Sequence, residues 1–169
     1  NWSNFLEKIT PEQVAQAADY LRSFFPDPDY IRGKTVIDVW SGSGIMSLAF
    51  IHLGAKHVTS IDIDAHSVAC TKKVQELYKI SHDQWNVIQW SVLDQAWIES
   101  LGTFDIVYSR WVIHHSGNMR QGLKNALSLG HDNSYLYIAL YNTCTRVVEG
   151  TSWFWTKSKR IYSLQPWSR

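Results

Sequence analysis

Two glycines, Gly42 and Gly44, close the stretch VIDVWSGSG, and Asp62 stands twenty residues beyond Gly42. Glycine admits positive φ and close backbone approach, so an apolar run ending in such a turn can deliver a ligand to the free N–H groups of the next helix. An acid at that distance, after a second strand, can hold both hydroxyls of a ribose. Asp94, in SVLD after a third apolar run, is placed to accept a hydrogen bond from the amino group of adenine. A glycine turn alone is weak, because tight strand-to-helix turns also use glycine for packing. Joined to two acids after two successive strands, it points to a cofactor containing adenosine.

His114 and His115 lie in SRWVIHH. Adjacent residues on or just after a strand project to opposite sides, which suits chelation of one metal badly, and no third ligand is evident. Either imidazole could serve as a general base for an acceptor hydroxyl or amine, or could brace a loop. Ser109, before them, can offer its backbone carbonyl to a ligand amino group, and Arg110 can pair with a carboxylate or be solvated. Tyr141 and Asn142 follow an apolar strand and could line an acceptor pocket.

These residues need a scaffold that gathers strand ends. Thr10, Pro11 and Gln13 form an N-cap, a first-turn proline and a capping box ahead of the apolar stripe Val14, Ala17, Ala18 and Leu21. Strands are expected at KTVIDV, HVTSID, NVIQWSV, FDIVYS and SYLYIALYN, the last preceded by a polar turn, GHDNS. Between them come GIMSLAFIHLG, a helix capped by Asp64, a short turn over Gln95 to Ser100, and MRQGLKNALSL. Strands alternating with helices imply βαβ units, a parallel sheet and helices on both faces. In such a sheet ligands sit at the carboxyl ends of the strands, which is where the residues above fall.

The 169 residues, 45% hydrophobic with a formal charge of +1, suit one domain and give no global attraction to nucleic acid or an anionic membrane. No apolar run approaches the roughly 20 residues that cross a bilayer, and no secretory leader is recognisable. Cys70 and Cys144 are far apart and read as free thiols of a reducing, cytoplasmic setting. Residues 1–30 are expected to form a helical cap, with Trp2, Phe5 and Tyr20 over the ligand. Residues 143–169 are expected to form an amphipathic closing helix whose basic face is solvated rather than bound to nucleic acid.

The segments GKTVIDVWSGSGIMSLAF, GAKHVTSIDIDAHSVACTKK, WNVIQWSVLDQAWIESLGTFDIVYSRWVIHHSGNMRQGLKNAL and YIALYN resemble class I S-adenosylmethionine-dependent methyltransferases. The bacterial pattern they resemble reads approximately GKTVLDVGSGSGLFSLAA, then W.V..GSVLD, then FDIVYSWGVLHHTG. The resemblance implies a Rossmann-like three-layer αβα sandwich with strand order 3-2-1-4-5-7-6 and S-adenosyl-L-methionine as cofactor. It implies Asp38, Gly42 and Gly44 near the methionine end, Asp62 on the ribose and Asp94 near the adenine. Trp40, Ile63, Leu93 and Ser109 complete the expected cofactor-binding set, with His114 and His115 as the catalytic candidates.

The chain departs from that pattern. Trp40 stands at its first motif glycine, and Arg110-Trp111 replaces Trp-Gly. The two tryptophans could wall the sulfonium, fill its cavity or pack elsewhere. The sheet is expected to stop at its fifth strand, leaving an edge open to a second copy of the chain. The expected function is S-adenosylmethionine-dependent methylation of a small-molecule substrate. The alternative is an altered relative that binds the cofactor without methylating, for sequestration, cleavage or a structural role.

Overall fold

The computed structural model describes residues 9–25 and 27–140 together with the backbone of Tyr162 and Ser163. The chain runs α1 (Pro11–Arg22), β1 (Thr35–Val39), α2 (Ile45–His52), β2 (His57–Asp62), α3 (Ala65–Leu77), β3 (Trp85–Gln89), α4 (Gln95–Ser100) and β4 (Phe104–Arg110). A 3₁₀ turn (Ile113–His115), α5 (Met119–Ser128), β5 (Gly130–Ala139) and β6 (Tyr162–Ser163) follow. The strands form one sheet in the order β3-β2-β1-β4-β5-β6. The first five are parallel and β6 is antiparallel to β5.

Local chemistry explains the starts of these elements. The Thr10 hydroxyl accepts from the Gln13 N–H while the Gln13 side chain takes the Thr10 N–H, the expected capping box. Asp64 caps α3 through the Ser67 N–H at 2.9 Å, and Asn118 caps α5 through Gln121. Gly54, at φ 86°, ends the α2 segment as anticipated.

Alternation along β1 sets the two layers. Val36 is buried against the core beneath α1, α2 and α3, with Leu21, Leu48, Phe50, Val68 and Trp85. Ile37 and Val39 are buried in the opposite core, with Ile98, Phe104, Ile113 and Leu129 of the α4–α5 side. A central parallel strand covered on both faces is mainly apolar on both, as Val36, Ile37 and Val39 are, with Asp38 the buried exception.

Four expectations need correction. The third strand stops at Gln89 rather than Val92, because Trp90 to Asp94 turn into α4. GHDNS is no turn: it lies inside β5, accommodated by a register irregularity between Phe104 and Ile106. Ser134 explains the irregularity, since its hydroxyl donates to the Phe104 carbonyl at 2.6 Å and accepts from the His131 N–H. The fifth strand is not the last of the sheet, because β6 pairs Tyr137 with Ser163 and Ile138 with Tyr162. The edge expected to be open to a second copy is thus occupied at Tyr137 and Ile138. β6 also interrupts the expected helix over 143–169; the rest of that segment, with Cys144, lies outside the described residues, as do Trp2, Phe5, Tyr141 and Asn142.

Among the described residues no helix is long and apolar enough to cross a membrane.

Candidate functional site

The turn after β1 is held from both sides. The Trp40 and Ser41 N–H groups both donate to the Ile61 carbonyl at the end of β2, at 2.6 and 3.1 Å. The Gly42 N–H donates to Asp62 Oδ2 at 2.9 Å, and the Thr71 hydroxyl of α3 donates to the Gly42 carbonyl at 3.1 Å. Gly42 and Gly44 have φ of 56° and 78°. At Gly44 a Cβ would lie 2.9 Å from Thr71 Cγ2 and 3.2 Å from Thr71 Cα, so glycine is required there for space as well as for its dihedral.

Asp62 is 2% exposed and binds twice to backbone, through Gly42 and through the Asp64 N–H on Oδ1 at 2.9 Å. Burial raises its pKa, against the lowering effect of those two N–H groups. A carboxylate has about four acceptor positions, so these two bonds do not saturate Asp62.

A solvent-open cleft with about 330 Å³ of free space lies at the carboxyl ends of β1, β2 and β3. Its walls are Val39 and Trp40, then Ile61, Asp62 and Ile63, then Trp90, Ser91, Val92 and Leu93, with Ser116 across from them. Among the expected cofactor residues, Trp40, Asp62, Ile63 and Leu93 therefore meet in one cleft. The cleft combines a mainly apolar lining with the Asp62 carboxylate.

The other expected residues sit differently. Asp38 is 2% exposed, beneath α2, and accepts the Ser47 hydroxyl at 2.5 Å; Ser47 and Ser60 share a 2.7 Å bond, and the Trp85 indole N–H donates to Ser60 at 2.7 Å. Burial pushes Asp38 up to about 7, with Ser47 opposing and the Asp62 charge adding to the rise. Asp94 caps α4 through the Trp97 N–H and accepts the Trp90 indole N–H on its second oxygen, each at 3.1 Å. Its first task is thus to hold Trp90 at the cleft. Ser109 is 1% exposed.

His114 and His115 do not point apart. They lie in the 3₁₀ turn, where helical rather than strand periodicity applies, and their ring centroids are 4.0 Å apart. Burial, then the neighbouring His115, lowers the His114 pKa, which favours the neutral imidazole a general base must be. Among the described residues no group of three or more His, Cys, Asp or Glu is placed for a metal.

Trp90 is the site residue that the sequence reading overlooked. It is 41% exposed, lines the cleft and stacks on Trp97 with centroids 5.0 Å apart. The signal was present, because WNVIQWSVLD sets Trp90 against the glycine of the W.V..GSVLD pattern. Trp40 and Trp111 adopt the left-handed backbone that glycine favours, with φ of 76° and 65°. A left-handed residue other than glycine is disfavoured by roughly 1–2 kcal/mol. Trp40→Gly is accordingly expected to be more stable than Trp40→Ala by about 1–2 kcal/mol. Both variants lose the ring, so urea unfolding of the pair isolates the strain; equal midpoints would show that the turn relaxes.

A family model described as ribosomal protein L11 methyltransferase (PrmA) matches residues 27–125, more than half of the chain. The chain belongs to the ribosomal protein L11 methyltransferase family. A ribosomal protein L11 methyltransferase of Anoxybacillus flavithermus is 44% identical over 64 residues, which is 38% of this chain and 20% of that protein. The chain therefore matches only about a fifth of the length of such curated relatives. Among solved structures, a SAM-dependent methyltransferase from Aquifex aeolicus superposes with a TM-score of 0.62 at 16% identity, over 89% of this chain and 78% of that one. The ribosomal protein L11 methylase of Lactobacillus delbrueckii gives 0.55 at 20% identity, over 78% and 60%.

Family and fold thus agree with the methyltransferase resemblance, and the Rossmann-like sandwich is the observed architecture. The expected small-molecule substrate is overturned: this family and its curated members are named for methylating a ribosomal protein, which is a polypeptide.

Proposed function

We propose that the chain is the cofactor-binding core of an S-adenosylmethionine-dependent methyltransferase acting on a polypeptide, with ribosomal protein L11 the first acceptor to test. The observation that carries this reading is the cleft itself, where Asp62, fastened to the glycine turn, meets Ile63, Leu93 and Trp90 at three adjacent strand ends. The cofactor supplies an activated methyl group. The residues of the chain supply orientation, since the turn and Asp62 fix one reactant and the ends of β4 and β5 receive the other; proximity is the main source of acceleration in such a transfer. His114 or His115 takes a proton from the acceptor where one must be lost.

Titration with S-adenosylhomocysteine, S-adenosylmethionine and NAD tests the binding step. Trp40 and Trp90 wall the cleft, so tryptophan fluorescence is expected to change saturably with both sulfur compounds and not with NAD. Flat responses to the sulfur compounds would overturn the proposal. Incubation with purified L11 and methyl-labelled cofactor tests transfer. A second reading, binding without transfer, draws on the two strained tryptophans at strand ends; retained binding with no label in any polypeptide supplied would favour it.

A further inference from the structure

On the opposite face of β4 and β5 from the α4–α5 core, the side chains present hydrogen-bond donors together. Tyr108 and Tyr137 are register partners, ring-stacked with centroids 4.8 Å apart, and the Tyr137 hydroxyl bonds the Tyr20 hydroxyl of α1 at 2.9 Å. Arg110, at the last position of β4, lays its guanidinium 4.8 Å over the Tyr20 ring and 5.9 Å over that of Trp111. These rings fix the plane of the guanidinium at small entropic cost, as stacked arginines allow.

The same cluster carries unmet polar capacity. Tyr108 is 2% exposed, and neither its hydroxyl nor the buried Arg110 Nε has a hydrogen-bond partner among the described residues. No carboxylate of the described residues forms an ion pair with Arg110. Burial raises both the Tyr108 and Tyr137 phenols, so they remain O–H donors throughout the neutral range. Asp38, the register partner of Tyr108, acts on that phenol and forms no ion pair with Arg110. A ring-stacked guanidinium with no ion-paired carboxylate is the complement of one. None of these residues lines the cleft.

We infer that the part-exposed guanidinium of Arg110 forms a carboxylate-binding subsite for the methyl acceptor, recognising an acidic side chain of the polypeptide that docks at the ends of β4 and β5. The inference rests on the methyltransferase reading for the identity of the ligand, not for the chemistry of the site. Arg110 is a specificity residue here, since it holds the acceptor and does not touch the transferring group. The amino-acid tail of the cofactor also ends in a carboxylate, so the test must separate the two sources.

The full chain, labelled with ¹⁵N-arginine and saturated with S-adenosylhomocysteine, is titrated with N-acetylglutamate amide while the Arg110 Nε–H resonance is followed. A saturable shift is expected, with none from the uncharged N-acetylglutamine amide. Arg110→Met should weaken glutamate binding, followed by competition or calorimetry, about tenfold or more. It should leave affinity for S-adenosylhomocysteine and 5′-methylthioadenosine unchanged, and Arg110→Lys should recover part of the loss. Absence of a glutamate-specific shift overturns the subsite. So does a variant that loses S-adenosylhomocysteine but keeps 5′-methylthioadenosine, which would assign Arg110 to the cofactor tail. If S-adenosylhomocysteine fails to bind at all, the glutamate titration of the ligand-free chain still decides the subsite, and only the functional reading falls.

Discussion

Asp38→Asn is expected to stabilise the fold increasingly as the pH rises from about 4 to about 8, by up to about 4 kcal/mol at the upper end. Asp38 is buried, and its pKa rises from 3.8 to about 7. Between those values the folded protein holds a proton that the unfolded chain has released. Stability therefore falls as pH rises through this window, and the penalty is complete above about 7. The difference of about three units, at about 1.36 kcal/mol each, sets the ceiling. Asparagine keeps an oxygen for the Ser47 hydroxyl and has no charge to bury. Any pH-independent cost of the amide offsets both ends of the profile equally, so the readout is the slope of urea-derived stability against pH. Parallel profiles for the two proteins would show that Asp38 titrates normally.

Gly44→Ala is expected to destabilise by about 2–4 kcal/mol, where Gly42→Ala costs only about 1–2. Both glycines are left-handed, at 78° and 56°, so both substitutions incur dihedral strain. They differ in surroundings. A Cβ at Gly42 meets nothing within 4 Å, whereas one at Gly44 lies 2.9 Å from Thr71 Cγ2 and 3.2 Å from Thr71 Cα. The side-chain contact could be relieved by rotation, but the backbone contact can be relieved only by moving α3. Thr71 also holds the Gly42 carbonyl, so a displaced α3 loosens the turn that carries Asp62. For a domain of this size the loss corresponds to roughly 6–12 °C in Tm. Thermal unfolding of both variants checks it, and equal Tm losses would mean that packing against Thr71 adds nothing.

Much of this architecture is legible locally. Thr10, Pro11 and Gln13 specify a helix start from a handful of neighbours, and TVIDV announces a strand covered on both faces. Gly42, Gly44 and Asp62 could be placed at one site because strand ends of a parallel sheet converge whatever lies between them. Even the strain at Trp40 and Trp111 had a precursor in the sequence, as two tryptophans at positions where glycine is expected.

Other features depend on partners that spacing does not reveal. The choice of strand or 3₁₀ turn at Ile113–His115 decided whether two imidazoles diverge or meet. Ser134 reached the Phe104 carbonyl and drew GHDNS into β5. Asp94 spent its oxygens on Trp97 and Trp90, and Arg110 settled over Tyr20, ninety residues earlier in the chain. The sequence by itself determined the order of elements, the parallel sheet and the glycine turn after β1, because periodicity, capping and φ preference act over a few residues. Only the tertiary structure decided which polar groups were already engaged and which were left without a partner among the described residues, because hydrogen-bond satisfaction belongs to the packed whole.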